Sequence, residues 1–235
     1  MPSEIIDLGA LVTEDLPDRV WGTSFMRSGG YTESNSFNVI HWPLGEEGDQ
    51  GSNAYYTLFN HGGPHVDAPN HIGLDGGLDS YPVEAFSGPL KVFDVSSFPS
   101  GRSIPVDVFL GQQIMAGDVI AIYTNSALPT PDQANPITIT LTQEAANYLA
   151  EIPIRAFVTD SWSVYNFEAE PVAAATELGR LAPIHSAFLS RGIPIYEQMF
   201  NVESLLGKEN MFFSGVPLNV AGGDGMIVRP VVFVY

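Results

Sequence analysis

A chain of 235 residues with 45% hydrophobic and 11% aromatic side chains can bury one sizeable core, which excludes a disordered or low-complexity protein. Its 27 Asp and Glu against 9 Lys and Arg give a formal charge of −18 with no basic cluster, so nucleic acid and anionic membranes are excluded as partners. Cysteine is absent, which removes disulfides, thiolate nucleophiles and Cys-based zinc sites and leaves His, Asp and Glu as potential metal ligands.

The first residues, MPSEIIDLGALVTEDLPD, contain no basic stretch followed by an apolar run. No apolar segment approaches the ~20 residues that span a bilayer. The expectation is a soluble, cytoplasmic protein. IIDLG (5–9), SFNVIHW (36–42) and NAYYTLFN (53–60) place β-branched and aromatic residues between turn formers and read as strands. His41 falls inside the second of these, matches no motif and reads as structural. The stretch HWPLGEEGDQGSNAYY (41–56) has the character of an insertion.

Residues 61–71, HGGPHVDAPNH, then concentrate His61, His65 and His71 with Asp67, three of the chain's five histidines in eleven positions. Gly and Pro exclude a helix here, and the sequence predicts a loop stiffened by Pro64 and Pro69. Two imidazoles and a carboxylate form a ligand set suited to Zn²⁺ or Mn²⁺. Three protein ligands also leave coordination positions free for water, as catalysis requires.

LKVFDVS (90–96) and DVIAIYT (118–124) read as further strands, the second apolar enough to be covered on both faces. TLTQEAANYLAEI (140–152) predicts a helix with Thr140 and Gln143 as a capping box. A strand follows in IRAFVTD (154–160), then a helix near 176–191 ending at Arg191-Gly192. IPIYE (193–197), MFFSGVPL (211–218) and MIVRPVVFVY (226–235) read as strands. AGGDG (221–225) lacks the strand-turn-helix setting of a phosphate loop and reads as a turn. The mixture predicts an α/β fold, with a mixed β-sheet and flanking helices in a single domain over 1–235.

HGGPHVDAPNH resembles the His-x-Gly-Thr-His-x-Asp-x-Pro-x-His signature of the Putative cyclase family, which includes bacterial kynurenine formamidases, isatin hydrolases and a dienelactone hydrolase. PIHSAFLSRGIPIYEQMFNVESL (183–205) is similar to a later family block in which a His and a Glu, here His185 and Glu197, lie twelve residues apart. VTDSWSVYN (158–166) resembles a substrate-side loop, and GVPLNVAGGDGMIVRPVVFV (215–234) the family's carboxy-terminal strands. The resemblance implies the swivelling β/β/α cyclase-like fold. It implies that His61, His65 and Asp67 bind a primary metal, that Asp67 bridges to a second ion completed by His185 and Glu197, and that His71 is the general acid/base. One or two ions of Zn²⁺ or Mn²⁺ per chain are expected. Trp21 and Trp162 become candidate walls of a pocket for flat aromatic substrates. A homodimer or homotetramer is expected, because the family's amino-terminal segment often shapes a neighbouring subunit's pocket. The usual Thr of the signature is Pro64 here, which offers neither an N–H nor a hydroxyl to orient the ligands.

The chemistry such a ligand set performs is attack of a metal-acidified water on an amide or lactone carbonyl, with His71 protonating the departing atom. Ser163 and Ser186 lack a nucleophile-elbow context and read as bystanders. The expected activity is hydrolysis of non-peptide C–N bonds, in an aryl formamide of the N-formylkynurenine kind or a cyclic amide such as isatin. Lactone hydrolysis and metal-dependent cyclisation are the alternatives within enzyme chemistry, and a non-catalytic metal-dependent binding protein is the alternative outside it.

Overall fold

The computed structural model describes residues 1–13, 37–43, 52–99, 103–126, 139–164 and 182–235. Its strands are β1 (Glu4–Asp7), β2 (Phe37–Pro43), β3 (Ser52–Leu58), β4 (His65–Asp67), β5 (Ser87–Asp94), β6 (Val119–Tyr123), β7 (Ala156–Thr159), β8 (Ile195–Glu197), β9 (Met211–Ser214), β10 (Gly225–Ile227) and β11 (Val231–Val234). Two α-helices are α1 (Gln143–Glu151) and α2 (Pro183–Leu189). Nine strands form one sheet in the order β1-β11-β9-β5-β6-β7-β8-β4-β10, while β2 and β3 pair separately. Neighbours from β5 to β8 run parallel, and all other pairs in the sheet are antiparallel.

Strand alternation divides the interior in two. From β6, Ile120 and Ile122 point to a core shared with Phe157, Ile195, Leu149 of α1 and Phe188 of α2. Val119 and Ala121 point the other way, to a core holding Ile6, Val66, Leu90, Val158, Tyr196, Phe213 and Val232. That second core draws on strands from one end of the sheet almost to the other and on neither helix, so the sheet must curl over itself to close it. The carboxy-terminal residues make the curl explicit. The predicted strand 226–235 is broken: its first half is β10, at one edge, and its second half is β11, next to the opposite edge. Val228–Pro230 link the halves, and four residue steps reach at most about 14 Å. Pro230 has no N–H for a ladder, but its carbonyl accepts from Leu8 N at 2.9 Å.

The cap of α1 differs from expectation. Thr142, not Thr140, is the N-cap, its hydroxyl accepting from Ala145 N at 3.1 Å. Thr140 is committed elsewhere: its hydroxyl donates to Val164 O and its carbonyl accepts from Ile104 N. For the second helix, the predicted start at 176 lies outside the described residues. The described helix begins at Pro183, a first-turn proline, and the chain leaves it through Gly192 at φ +69°. Among the described residues no helix is long and apolar enough to cross a membrane.

Candidate metal centre

The predicted loop over residues 61–71 is a strand at its centre. β4 sits between β8 and β10, antiparallel to both, because three residues of HVD can extend once Pro64 has set the approach. Pro69 then starts a 3-10 turn over Pro69–Ile72, which Gly73 ends at φ +77°. Alternation puts His65 and Asp67 on one face of the sheet, while Val66 enters the second core. On the neighbouring strand Glu197 stands directly opposite His65, and Ile195 opposite Asp67. Since Ile195 belongs to the helix-side core, His65, Asp67 and Glu197 face the helices. From that side α2 supplies His185, whose Nε2 lies 3.4 Å from Glu197 Oε1 and 3.6 Å from Asp67 Oδ2. His61 comes from the turn before β4, with Nδ1 3.1 Å from Asp67 Oδ1. His65 Nε2 is 3.2 Å from the same oxygen and 3.6 Å from Glu197 Oε2. His71, on the turn after β4, sets its ring 4.4 Å from that of His61 and 5.6 Å from that of His185, tilted to both.

All six residues singled out around the signature and its distant partner block therefore converge. The ligand atoms of five of them form two groups within 4.8 Å, His61, Asp67 and His71, and His65, Asp67 and Glu197, while His185 belongs to neither and stands beside Asp67 and Glu197. Asp67 belongs to both, which fits a bridging carboxylate. The partition differs from the expected one, since His65 groups with Glu197 rather than with His61. Asp67 is fully buried, yet neither of its oxygens receives a well-formed hydrogen bond, and the same holds for both ring nitrogens of buried His185. Uncompensated buried polar atoms are costly, and a divalent cation would satisfy them. The imidazole and carboxylate donors suit Zn²⁺ or Mn²⁺.

The electrostatics follow from crowding. Burial works to raise Asp67, but the charges of His71 and His65 and the close ring nitrogens of His61 and His65, 3.1 and 3.2 Å away, hold its carboxyl well below the usual range. Burial alone would depress His61; the carboxylates of Asp224 and Asp67 beside its two ring nitrogens carry it up to about 9. His71 is pushed down to about 4, chiefly by burial and also by His61 and His185, against the pull of Asp67 and Glu197.

Three further groups orient the ligands. His65 Nδ1 lies 2.8 Å from the Gly63 carbonyl, and because a carbonyl only accepts, Nδ1 donates and leaves Nε2 for the centre. The Gly63 carbonyl, rather than the side chain of residue 64, thus orients His65. Ser163, expected to be a bystander, donates its hydroxyl to Glu197 Oε1 at 3.1 Å beside Val164 N at 2.6 Å. Asp224, in the AGGDG turn, places Oδ2 3.4 Å from His61 Nε2. Neither role had a sequence signal, because each depends on contacts across more than thirty residues. Trp162 lies on the same strap as Ser163 and is 2% exposed, its carbonyl accepting from Gln198 Nε2. Trp21 lies outside the described residues.

A family model described as Putative cyclase matches residues 6–165. The chain belongs to the Putative cyclase family. Kynurenine formamidase of Salinibacter ruber is 28% identical over 177 residues, which cover 74% of this chain and 76% of that protein. An isatin hydrolase bound to the product analogue thioisatinate superposes with a TM-score of 0.79 at 18% identity, over 98% of this chain and 92% of its own. Isatin hydrolase A of Labrenzia aggregata gives 0.78 at 20% identity, over 98% and 93%. A potential metal-dependent hydrolase with cyclase activity gives 0.70 at 21%, over 99% of both chains. The curled mixed sheet with few helices is thus the fold of this family, as the sequence resemblance implied.

Proposed function

We propose that this protein is a metal-dependent hydrolase of non-peptide C–N bonds, acting on an aryl formamide of the N-formylkynurenine kind or a cyclic amide of the isatin kind. One observation carries the reading: a fully buried aspartate without well-formed hydrogen bonds, ringed by His61, His65 and His185 at 3.1–3.6 Å. Asp67 would bridge two cations, with His61, His65 and Glu197 completing their coordination together with His185, whose Nε2 stands 3.4 Å from Glu197 and 3.6 Å from Asp67. Zn²⁺ or Mn²⁺ held there supplies Lewis acidity, polarising a carbonyl and acidifying a water molecule. His71, half-buried beside both groups and neutral at neutral pH, accepts a proton on a ring nitrogen and returns it to the departing nitrogen. Such proton transfer commonly contributes ~10²–10⁴-fold. The similarity to kynurenine formamidase and to isatin hydrolases supports the choice of substrates, with Trp21 and Trp162 as proposed pocket walls for a flat ring.

Assembly into a homodimer or homotetramer belongs to the same reading. Ile40 and Tyr55 face each other across the β2–β3 ribbon and are 55% and 65% exposed. A two-stranded ribbon is marginal alone, and a second copy would cover this apolar pair. The deciding assay offers an aryl formamide, an isatin and an aryl lactone to Zn²⁺- or Mn²⁺-loaded protein. Cleavage of the first or second, abolished by a chelator and restored by metal, is the expected result. Full activity in chelator, or turnover of the lactone alone, overturns it.

A further inference from the structure

Four contacts fix the ring of His61. Asp67 Oδ1 lies 3.1 Å from Nδ1, and Asp224 Oδ2 lies 3.4 Å from Nε2 on the opposite edge. The His71 ring lies over it at 4.4 Å with a 35° tilt. Gly225 closes the remaining side: a Cβ there would collide with His61 Cε1 and stand 2.9 Å from Nε2. The turn that carries Asp224 and Gly225 is itself held on the chain around the signature. Gly222 N donates to Asp79 Oδ1, Asn70 Nδ2 to Gly222 O, Leu78 N to Gly223 O and Ala68 N to Asp224 O, each at 2.8–2.9 Å. Asn60 Nδ2 donates to Asp224 Oδ1 at 2.7 Å, which leaves Oδ2 for the imidazole.

We propose that Asp224 is the positioning residue that fixes His61 with its proton on Nε2 and its lone pair on Nδ1 turned toward the metal centre. Carboxylates face both ring nitrogens, but Asp67 belongs to both cation groups and would turn its oxygens to the metal, whereas Asp224 belongs to neither and can only accept; with a cation bound, the proton therefore stays on Nε2 and Nδ1 is left to coordinate. The charged acceptor also makes the coordinating nitrogen more basic, which strengthens its bond to a cation. AGGDG is on this account part of the metal centre rather than a connecting turn. The inference rests on the reading of His61 as a metal ligand, and its test separates the two.

Zn²⁺ affinity is measured by competition against a chromophoric chelator for the full chain and for Asp224→Ala and Asp224→Asn. Loss of the carboxylate is expected to weaken Zn²⁺ binding by about 10–100-fold, and Asn, which still presents an acceptor oxygen, to recover most of that loss. Long-range ¹H–¹⁵N correlation on the Zn²⁺-loaded parent, which needs no variant to fold, is expected to show His61 protonated at Nε2. Equal affinity in all three proteins, or a proton on His61 Nδ1 in the loaded parent, overturns the role of Asp224 and leaves the metal centre standing. A parent protein that takes up no Zn²⁺ overturns both.

Discussion

His65 and Glu197 stand directly opposite each other on β4 and β8, so one register places an imidazole and a carboxylate side by side on the helix-facing side of the sheet. A slip of β4 by one residue would send His65 and Asp67 into the opposite core and leave Glu197 without them. Glu197 also receives Val164 N at 2.6 Å and the Ser163 hydroxyl at 3.1 Å, and so ties the 161–164 strap to the sheet. Glu197→Ala would strand those donors. In chelator-treated protein it is expected to cost about 1–3 kcal/mol, read from urea unfolding, and metal-replete preparations should hold fewer ions by elemental analysis. An unchanged midpoint would mean that the strap is held by other contacts.

Two glycines separate steric from conformational causes. Gly225 lies against the His61 ring, where a methyl group has no room. Gly225→Ala is expected to lower stability by about 1–3 kcal/mol and to weaken metal binding with it. Gly192 has φ +69° and nothing within 4 Å of a added Cβ. Gly192→Ala should cost about 1–2 kcal/mol through the left-handed backbone alone, with metal affinity untouched. Parallel urea titrations and metal titrations check both, and a Gly225→Ala protein with parental metal affinity would refute the steric account.

His71 offers a ligand atom within 4.8 Å of those of His61 and Asp67, so its role needs its own test. His71→Ala is expected to retain bound metal and to lose about 10²–10⁴ in kcat. Loss of an ion together with activity would make His71 a ligand instead.

The site could be read further from sequence than the curl of the sheet. HGGPHVDAPNH holds four of its functional groups in eleven residues, so local spacing alone suggested a cation site. His185 and Glu197 needed the resemblance, because their approach to Asp67 is made by α2 and β8 coming together. What local pattern could not give is the strand at residues 65–67. Its extended form is imposed by pairing on both sides, with β8 and β10, and Gly and Pro nearby masked it. The break of the last strand at Pro230 has the same cause: β10 and β11 find partners at opposite ends of the sheet. Asp224 and Ser163 carry no local signal because the side chains they hold, His61 and Glu197, lie far from them along the chain.

The burial of Asp67 gives the most direct thermodynamic prediction. Its oxygens face three imidazoles at 3.1–3.6 Å without a well-formed hydrogen bond, so the metal-free fold leaves a carboxylate whose lone pairs a cation would take up. A cation that binds only the folded state stabilises by mass action, by about 2.7 kcal/mol when free metal is 100 times Kd. For a chain of this size that corresponds to a rise of about 5–10 °C in the thermal midpoint. Asp67→Asn weakens both cation groups at once, because Asp67 belongs to each. The variant should therefore show little or no shift on adding Zn²⁺ or Mn²⁺, while the parent shows the full rise and loses it again in excess chelator. Differential scanning calorimetry of both proteins, with and without metal, measures this. A parent midpoint that neither ion moves would remove the cation from the site altogether.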